Sequence, residues 1–174
     1  MRTALRRASR VHVYYLAAYA LSLIVFDSWN LITHEGIVRK WTLAAVILTI
    51  VIGCWFVSKQ KFAFTTGYTI AMLVLIISGV IFAAYNVSWE RGMASKSLIL
   101  FIVPIVTAAL TRRRTVLLAT TGFSAVAYSV VVVRYFHIHY GEGFRVQVYG
   151  ELLFYGIVFF VCAWLLRILQ KREA

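Results

Sequence analysis

Repeated apolar stretches, most of about 18–22 residues and separated by short charged breaks, constrain this chain more than any other feature, because roughly 20 such residues cross a bilayer as a helix. Hydrophobic residues make up 62% of the 174 and charged residues only 14%, and the mean hydropathy is +0.84. A soluble domain of this size carries about a quarter charged residues. The stretches lack the ten-residue alternation of a transmembrane barrel. The expected fold class is therefore all-α: a polytopic membrane protein, one domain over residues 1–174, with six transmembrane helices.

The expected spans are about 11–33, 41–57, 64–85, 98–111, 115–136 and 148–166. Met1–Arg10 reads as a short basic arm. The apolar run behind it is too long for a cleaved signal, and no small-residue cleavage site follows, so the first span is expected to be retained as an anchor. The fourth span is short and holds Pro104, expected to bend it. On the third, Gly79 and Ala83 share a face with Thr69, Met72 and Asn86, a small-residue surface suited to close helix contact.

The net charge of +12 could suggest a nucleic-acid partner, but its distribution points to orientation in a membrane. Twelve of the eighteen Lys and Arg fall in the N-terminal arm, the second and fourth loops and the C-terminal tail. Five of the six acids, and His34, His137 and His139, fall in the other half. By the positive-inside rule both termini are cytoplasmic, and the expected location is a bacterial inner membrane. Nucleic acid is excluded as a partner, and the lipid bilayer is the expected one.

Lone polar groups in hydrocarbon cost several kcal/mol unless they are paired or face water. Asp27, Asn30 and His34 are spaced to share a helical face, and a span ending near Thr33 would place Asp27 about 9 Å inside it. Thr121, Ser124, Tyr128 and Tyr135 form a stripe on the fifth span, with Arg134 near its outer end, and Gln147, Glu151 and Tyr155 repeat on the sixth. These residues point to an outward-opening pocket for a small-molecule ligand, lined by Asp27, Asn30, Tyr128, Arg134 and Glu151. The competing expectation is that Asp27 pairs with Arg134 and fixes helix packing.

His137 and His139, with Glu142 and His34, are the weaker candidates for a metal or for pH sensing, read as members of a polar loop. No metal site is assigned. His12 reads as a headgroup-level residue, and Cys54 and Cys162 read as small buried hydrophobes. Asn86-Val87-Ser88 matches a glycosylation sequon, a frequent triplet. No nucleophile elbow, phosphate loop or paired carboxylate points to catalysis, and no motif calls for a cofactor.

The run Leu100-Phe101-Ile102-Val103-Pro104-Ile105-Val106-Thr107-Ala108-Ala109-Leu110 followed by Arg112-Arg113-Arg114, then Gly150-Glu151-Leu152-Leu153-Phe154-Tyr155, then the exit Leu165 to Glu173 carry a resemblance. Together they resemble the six-helix N-terminal sensor region of bacterial membrane histidine kinases and related signalling enzymes. The resemblance implies a signal-input module whose sixth helix relays a signal inward through Arg167, Lys171 and Arg172. A kinase or cyclase output domain is expected outside these residues, with a second copy of the chain or a cytoplasmic signalling protein as partner. Two alternatives remain open. One is a substrate-binding subunit like those of energy-coupling-factor vitamin transporters, whose alanines four apart are approximated by Ala17, Ala18 and Ala20. The other is a structural or assembly subunit.

Overall fold

The computed structural model describes residues 1–29, 31–60, 65–89, 95–140 and 146–172. In chain order these form α1 (Arg2–Ser28), α2 (His34–Lys59), α3 (Thr66–Trp89), a 3-10 segment (Lys96–Phe101), α4 (Ile102–Ala109), α5 (Arg114–Tyr140) and α6 (Val146–Arg172). No strand occurs among the described residues. The helices α1, α2, α3, α5 and α6 are each long and apolar enough to cross a membrane. Their outward surfaces suit lipid rather than water: Leu21, Val126, Leu153 and Trp164 are each more than 60% exposed.

The chain divides into two compact units, Met1–Ser78 and Gly79–Ala174, with the boundary inside α3. In the first unit α1 packs along α2. Leu5, Ser9, His12, Leu16, Tyr19 and Leu23 of α1 are buried at alternating steps of four and three. Ile37, Lys40, Ala44, Ile47, Val51, Cys54 and Ser58 of α2 are buried at alternating steps of three and four. That 3.5-residue period is the seam of a coiled coil. Its antiparallel register is set by Arg2, whose guanidinium donates to the carbonyls of Ser58 and Lys59, each at 3.0 Å. Carried along the seam, this register opposes Leu5 to Cys54, Leu16 to Ala44 and Leu23 to Ile37.

Met1–Arg10 is accordingly no loose arm. It forms the first turns of α1, with Leu5, Ala8 and Ser9 fully buried. His12 is likewise a seam residue with no exposure. At the far end α1 stops at Ser28 because α2 already begins at His34, capped by Thr33. The Thr33 hydroxyl accepts from the Gly36 N–H at 3.4 Å. A Cβ on Gly36 would lie 2.9 Å from Ile32 Cγ2 and 3.1 Å from Thr33 Oγ1, so a larger residue there would crowd both side chains of the cap. At the other end of α2, the Cys54 thiol donates to Ala71 of α3 at 3.4 Å, and the Tyr68 hydroxyl donates to the Gln60 carbonyl.

Gly79, Ala83, Met72 and Asn86 of α3 are buried, as the small-residue face requires. In the second unit α4 packs against both α5 and α6. The fourth apolar segment is not one bent α-helix. Proline at 104 cannot donate to the carbonyl of Leu100 and crowds it; that carbonyl and the one on Ile99 take the Ile102 N–H, and the residues before it wind as a 3-10 helix. At about 2.0 Å per 3-10 residue and 1.5 Å per α residue, the two pieces extend ~24 Å, against the ~30 Å of a hydrocarbon core.

After α4 the chain turns through Arg112 at φ 58°, a left-handed conformation that costs an L-residue roughly 1–2 kcal/mol. Thr111 stitches the turn: its hydroxyl donates to the Ala108 carbonyl at 2.7 Å and accepts the Arg113 N–H at 3.3 Å. The Gln170 amide of α6 donates to the Ala109 carbonyl at the end of α4.

The α1–α2 register has a direct check. In a Cys54→Ala, Cys162→Ala background, Leu16→Cys with Ala44→Cys should oxidise nearly completely to a disulfide. Leu16→Cys with Val51→Cys, ~10 Å out of register, should stay reduced; equal yields would show a different pairing. Arg2→Gln should lower stability by about 1 kcal/mol in thermal unfolding, the scale of a lost hydrogen bond.

Candidate functional site

The second unit carries a run of buried polar groups along one stripe of α5. Leu117, Thr120, Thr121, Ser124, Tyr128 and Val132 are buried there, at helical spacing. Thr121 satisfies itself by donating to the Leu117 carbonyl at 2.8 Å. Ser124 and Tyr128 do not: both side chains are buried, and neither hydroxyl has a hydrogen-bond partner among the described residues. A buried hydroxyl left unmatched costs about 1–3 kcal/mol.

Aromatic rings surround Tyr128. Tyr128 meets Phe101, at the end of the 3-10 segment, with ring centroids 6.0 Å apart. It meets Tyr155 at 5.5 Å and Phe159 at 6.1 Å, both on α6, and all three contacts are edge-to-face. Phe101 and Phe159 close the set at 5.6 Å. Glu151 stands one turn before Tyr155 on α6, half-buried. The site thus offers two unmatched hydroxyl groups one turn apart on α5, an aromatic wall around Tyr128, and a carboxylate one turn along α6 from Tyr155. Such a set can hydrogen-bond a small polar group or bridging water, and its carboxylate can favour a cation.

Of the five residues expected to line one pocket, the second unit brings Tyr128 and Glu151 together. Arg134, six residues beyond Tyr128, lies ~120° round α5 and is exposed. Asp27 belongs to the first unit, and Asn30 lies outside the described residues. Asp27 is not sunk within a span. It occupies the last turn of α1 and is exposed, because that helix ends five residues earlier than expected. The break before α2 also removes the shared helical face of Asp27 and His34.

The histidines change place too. His137 and His139 lie in the last turn of α5, not in a loop, and both are exposed. Two residues apart on a helix, they point to different sides and cannot grip one ion together. The His139 ring instead stacks on Tyr135 at 4.2 Å, with Nδ1 3.0 Å from the Tyr135 carbonyl. His34 is the exposed first residue of α2, and Glu142 lies outside the described residues. No group of three or more metal-ligating side chains occurs among the described residues.

The expected output residues continue α6 without a break: Arg167 is half-buried, and the helix backbone runs on through Lys171 and Arg172. The lipid-side surface of the same helix, from Leu152 through Gly156 and Phe160 to Trp164, is apolar. Ser124 was legible as part of the α5 stripe; what spacing could not reveal was that its hydroxyl goes unmatched. Phe101 and Phe159 had no polar signal to mark them.

No protein-family model, no curated protein and no solved structure matches this chain at a significant level. The resemblance to kinase sensor regions therefore rests on its own residues.

Because the Ser124 and Tyr128 hydroxyls are unmatched, Ser124→Ala and Tyr128→Phe should leave thermal stability unchanged or raise it by up to ~1 kcal/mol. Phe159→Ala, which opens the aromatic wall, should lower it by ~3 kcal/mol. A Tyr128→Phe loss as large as that of Phe159→Ala would show that the hydroxyl has a structural partner.

Proposed function

We propose that this chain is a membrane-embedded signal-input module of a bacterial inner membrane. A small polar ligand or an outer-side condition acts at the Ser124–Tyr128–Glu151–Tyr155 cluster, and α6 relays the effect inward. One observation carries this reading: two buried hydroxyls one turn apart on α5 have no partner among the described residues, and the Tyr128 ring meets Tyr155 and Phe159 of the helix that runs unbroken to Arg172. A ligand shifts a helix only as far as it binds two arrangements differently. Unmatched donors at the α5–α6 contact supply that difference, because occupation satisfies them in one arrangement. The Ser124 hydroxyl has no base within hydrogen-bond reach, which favours binding over nucleophilic chemistry.

The reading takes both termini as cytoplasmic, with the 3-10 segment and α4 as the fourth of six crossings. Charge supports it, and so do two hydrogen bonds. Arg2 joins the start of α1 to the end of α2, and Gln170 joins the end of α6 to the end of α4. Each links two chain ends that the charge distribution puts on the cytoplasmic side.

Hydrogen–deuterium exchange can test the relay without a known ligand. Glu151→Gln and Tyr128→Phe should each change exchange over residues 165–172 at least several-fold, although Glu151 lies ~28 Å along the helix from Gln170. Changes confined to the neighbourhood of residues 124–128 and 151–159 would overturn the relay and favour a structural or transport subunit.

A further inference from the structure

We propose that the outward side of α1 is a binding site for anionic phospholipid, with Arg6, Arg7 and Arg10 holding the headgroup phosphate. Arg2 is already committed to the carbonyls of Ser58 and Lys59, and this contact ties the first turn of α1 to α2. Leu5, Ala8, Ser9 and His12 face the seam, so the three remaining arginines project from a fixed surface, all exposed. Arginine side chains carry the proposal; the free N–H groups of the helix terminus have no part in it. The carboxylates of this unit among the described residues, Asp27 and Glu35, lie at the opposite ends of α1 and α2. No ion pair to Arg6, Arg7 or Arg10 occurs among the described residues.

The surface beneath the arginines identifies the occupant. Arg6, Arg10, Val13, Ala17, Leu21 and Ile24 follow one another along an exposed stripe at steps of three and four. Beside it Arg7 leads to Tyr14, which is 74% exposed, and then to Ala18 and Val25. Each stripe is charged for its first turns and apolar below. The apolar part from Val13 to Ile24 extends ~16 Å, about half of a ~30 Å hydrocarbon core. An amphiphile with a phosphate at one end and acyl chains of one leaflet matches that outline. Guanidinium forks pair with phosphate oxygens in bidentate fashion, and an anionic lipid leaves its charge for them where a zwitterionic lipid neutralises its own. A free phosphate or a nucleic acid would use the arginines and leave the apolar stripe without a role.

The test uses the full chain in neutral detergent, with native mass spectrometry after addition of equimolar phosphatidylglycerol and phosphatidylcholine. Phosphatidylglycerol should be retained preferentially. Arg6→Gln/Arg7→Gln/Arg10→Gln should weaken its retention at least ~tenfold while phosphatidylcholine retention stays unchanged. The Lys-substituted triple variant, which keeps charge and loses the fork, should fall between. Arg112→Gln/Arg113→Gln/Arg114→Gln, with its unfolding temperature checked alongside, should retain lipid within twofold of wild type. Glycerol phosphate at the same concentration should not compete. Wild-type retention by the Gln triple variant, equal retention of the two lipids, or full competition by glycerol phosphate or a short RNA would each overturn the proposal.

Discussion

The last carbonyls of a helix have no partner within that helix. Here the carbonyls at the ends of α2 and α4 are each served by a side chain from another helix. Arg2 reaches across to Ser58 and Lys59, and Gln170 reaches across to Ala109. These bonds do more than satisfy backbone. Each pins two helix ends at one level and so sets the register along which the remaining contacts form. The positive guanidinium is also well placed at the negative end of the α2 dipole. The turn after α4 follows the same rule, with Thr111 serving the Ala108 carbonyl while Arg112 takes a left-handed conformation.

Helices in a membrane gain little from apolar burial against one another, because lipid tails are as apolar as their neighbours. Shape and hydrogen bonding then decide which faces meet. In the first unit that shape is a 3.5-residue seam carrying Ser9, His12, Lys40 and Ser58 among its apolar members. The Ser9 hydroxyl and His12 Nδ1 each meet the carbonyl one turn back at 3.0 Å, while His12 Nε2 has no partner among the described residues. In the second unit Ser124 and Tyr128 occupy the equivalent buried face and lack such partners. What sets the α5 stripe apart is that two unmatched hydroxyls lie one turn apart, with the Tyr128 ring set among Phe101, Tyr155 and Phe159, and this is the physical reason for placing the ligand site beside Tyr128.

The helical architecture and the α5 stripe of Thr121, Ser124 and Tyr128 were legible from hydropathy and spacing alone. The seam was not. In a membrane helix both the buried and the lipid-facing sides are apolar, so Leu5, Leu16 and Leu23 look no different from Leu21 and Ile24. The position of Asp27 depended on where α1 ends, and the signal for that was present as a capping threonine, Thr33, two residues before Glu35. His137 and His139 read as loop residues because polarity was taken as the end of the helix, whereas α5 runs on to Tyr140. Pro104 was read as a bend; its clash with the Leu100 carbonyl instead turns the preceding residues into a 3-10 helix.

The proposed function puts the far ends of α5 and α6, at Tyr140 and Val146, on the side of the membrane opposite the basic helix ends. Cysteine labelling by an impermeant maleimide in sealed, right-side-out vesicles measures that assignment most directly, with single cysteines at Arg10, Arg113 and Ile138 in a Cys54→Ala, Cys162→Ala background. The account predicts labelling at 138 from outside, and at 10 and 113 only after the vesicles are opened. Labelling of 10 and 113 from opposite sides would mean that the proline-containing segment does not cross, and would contradict it.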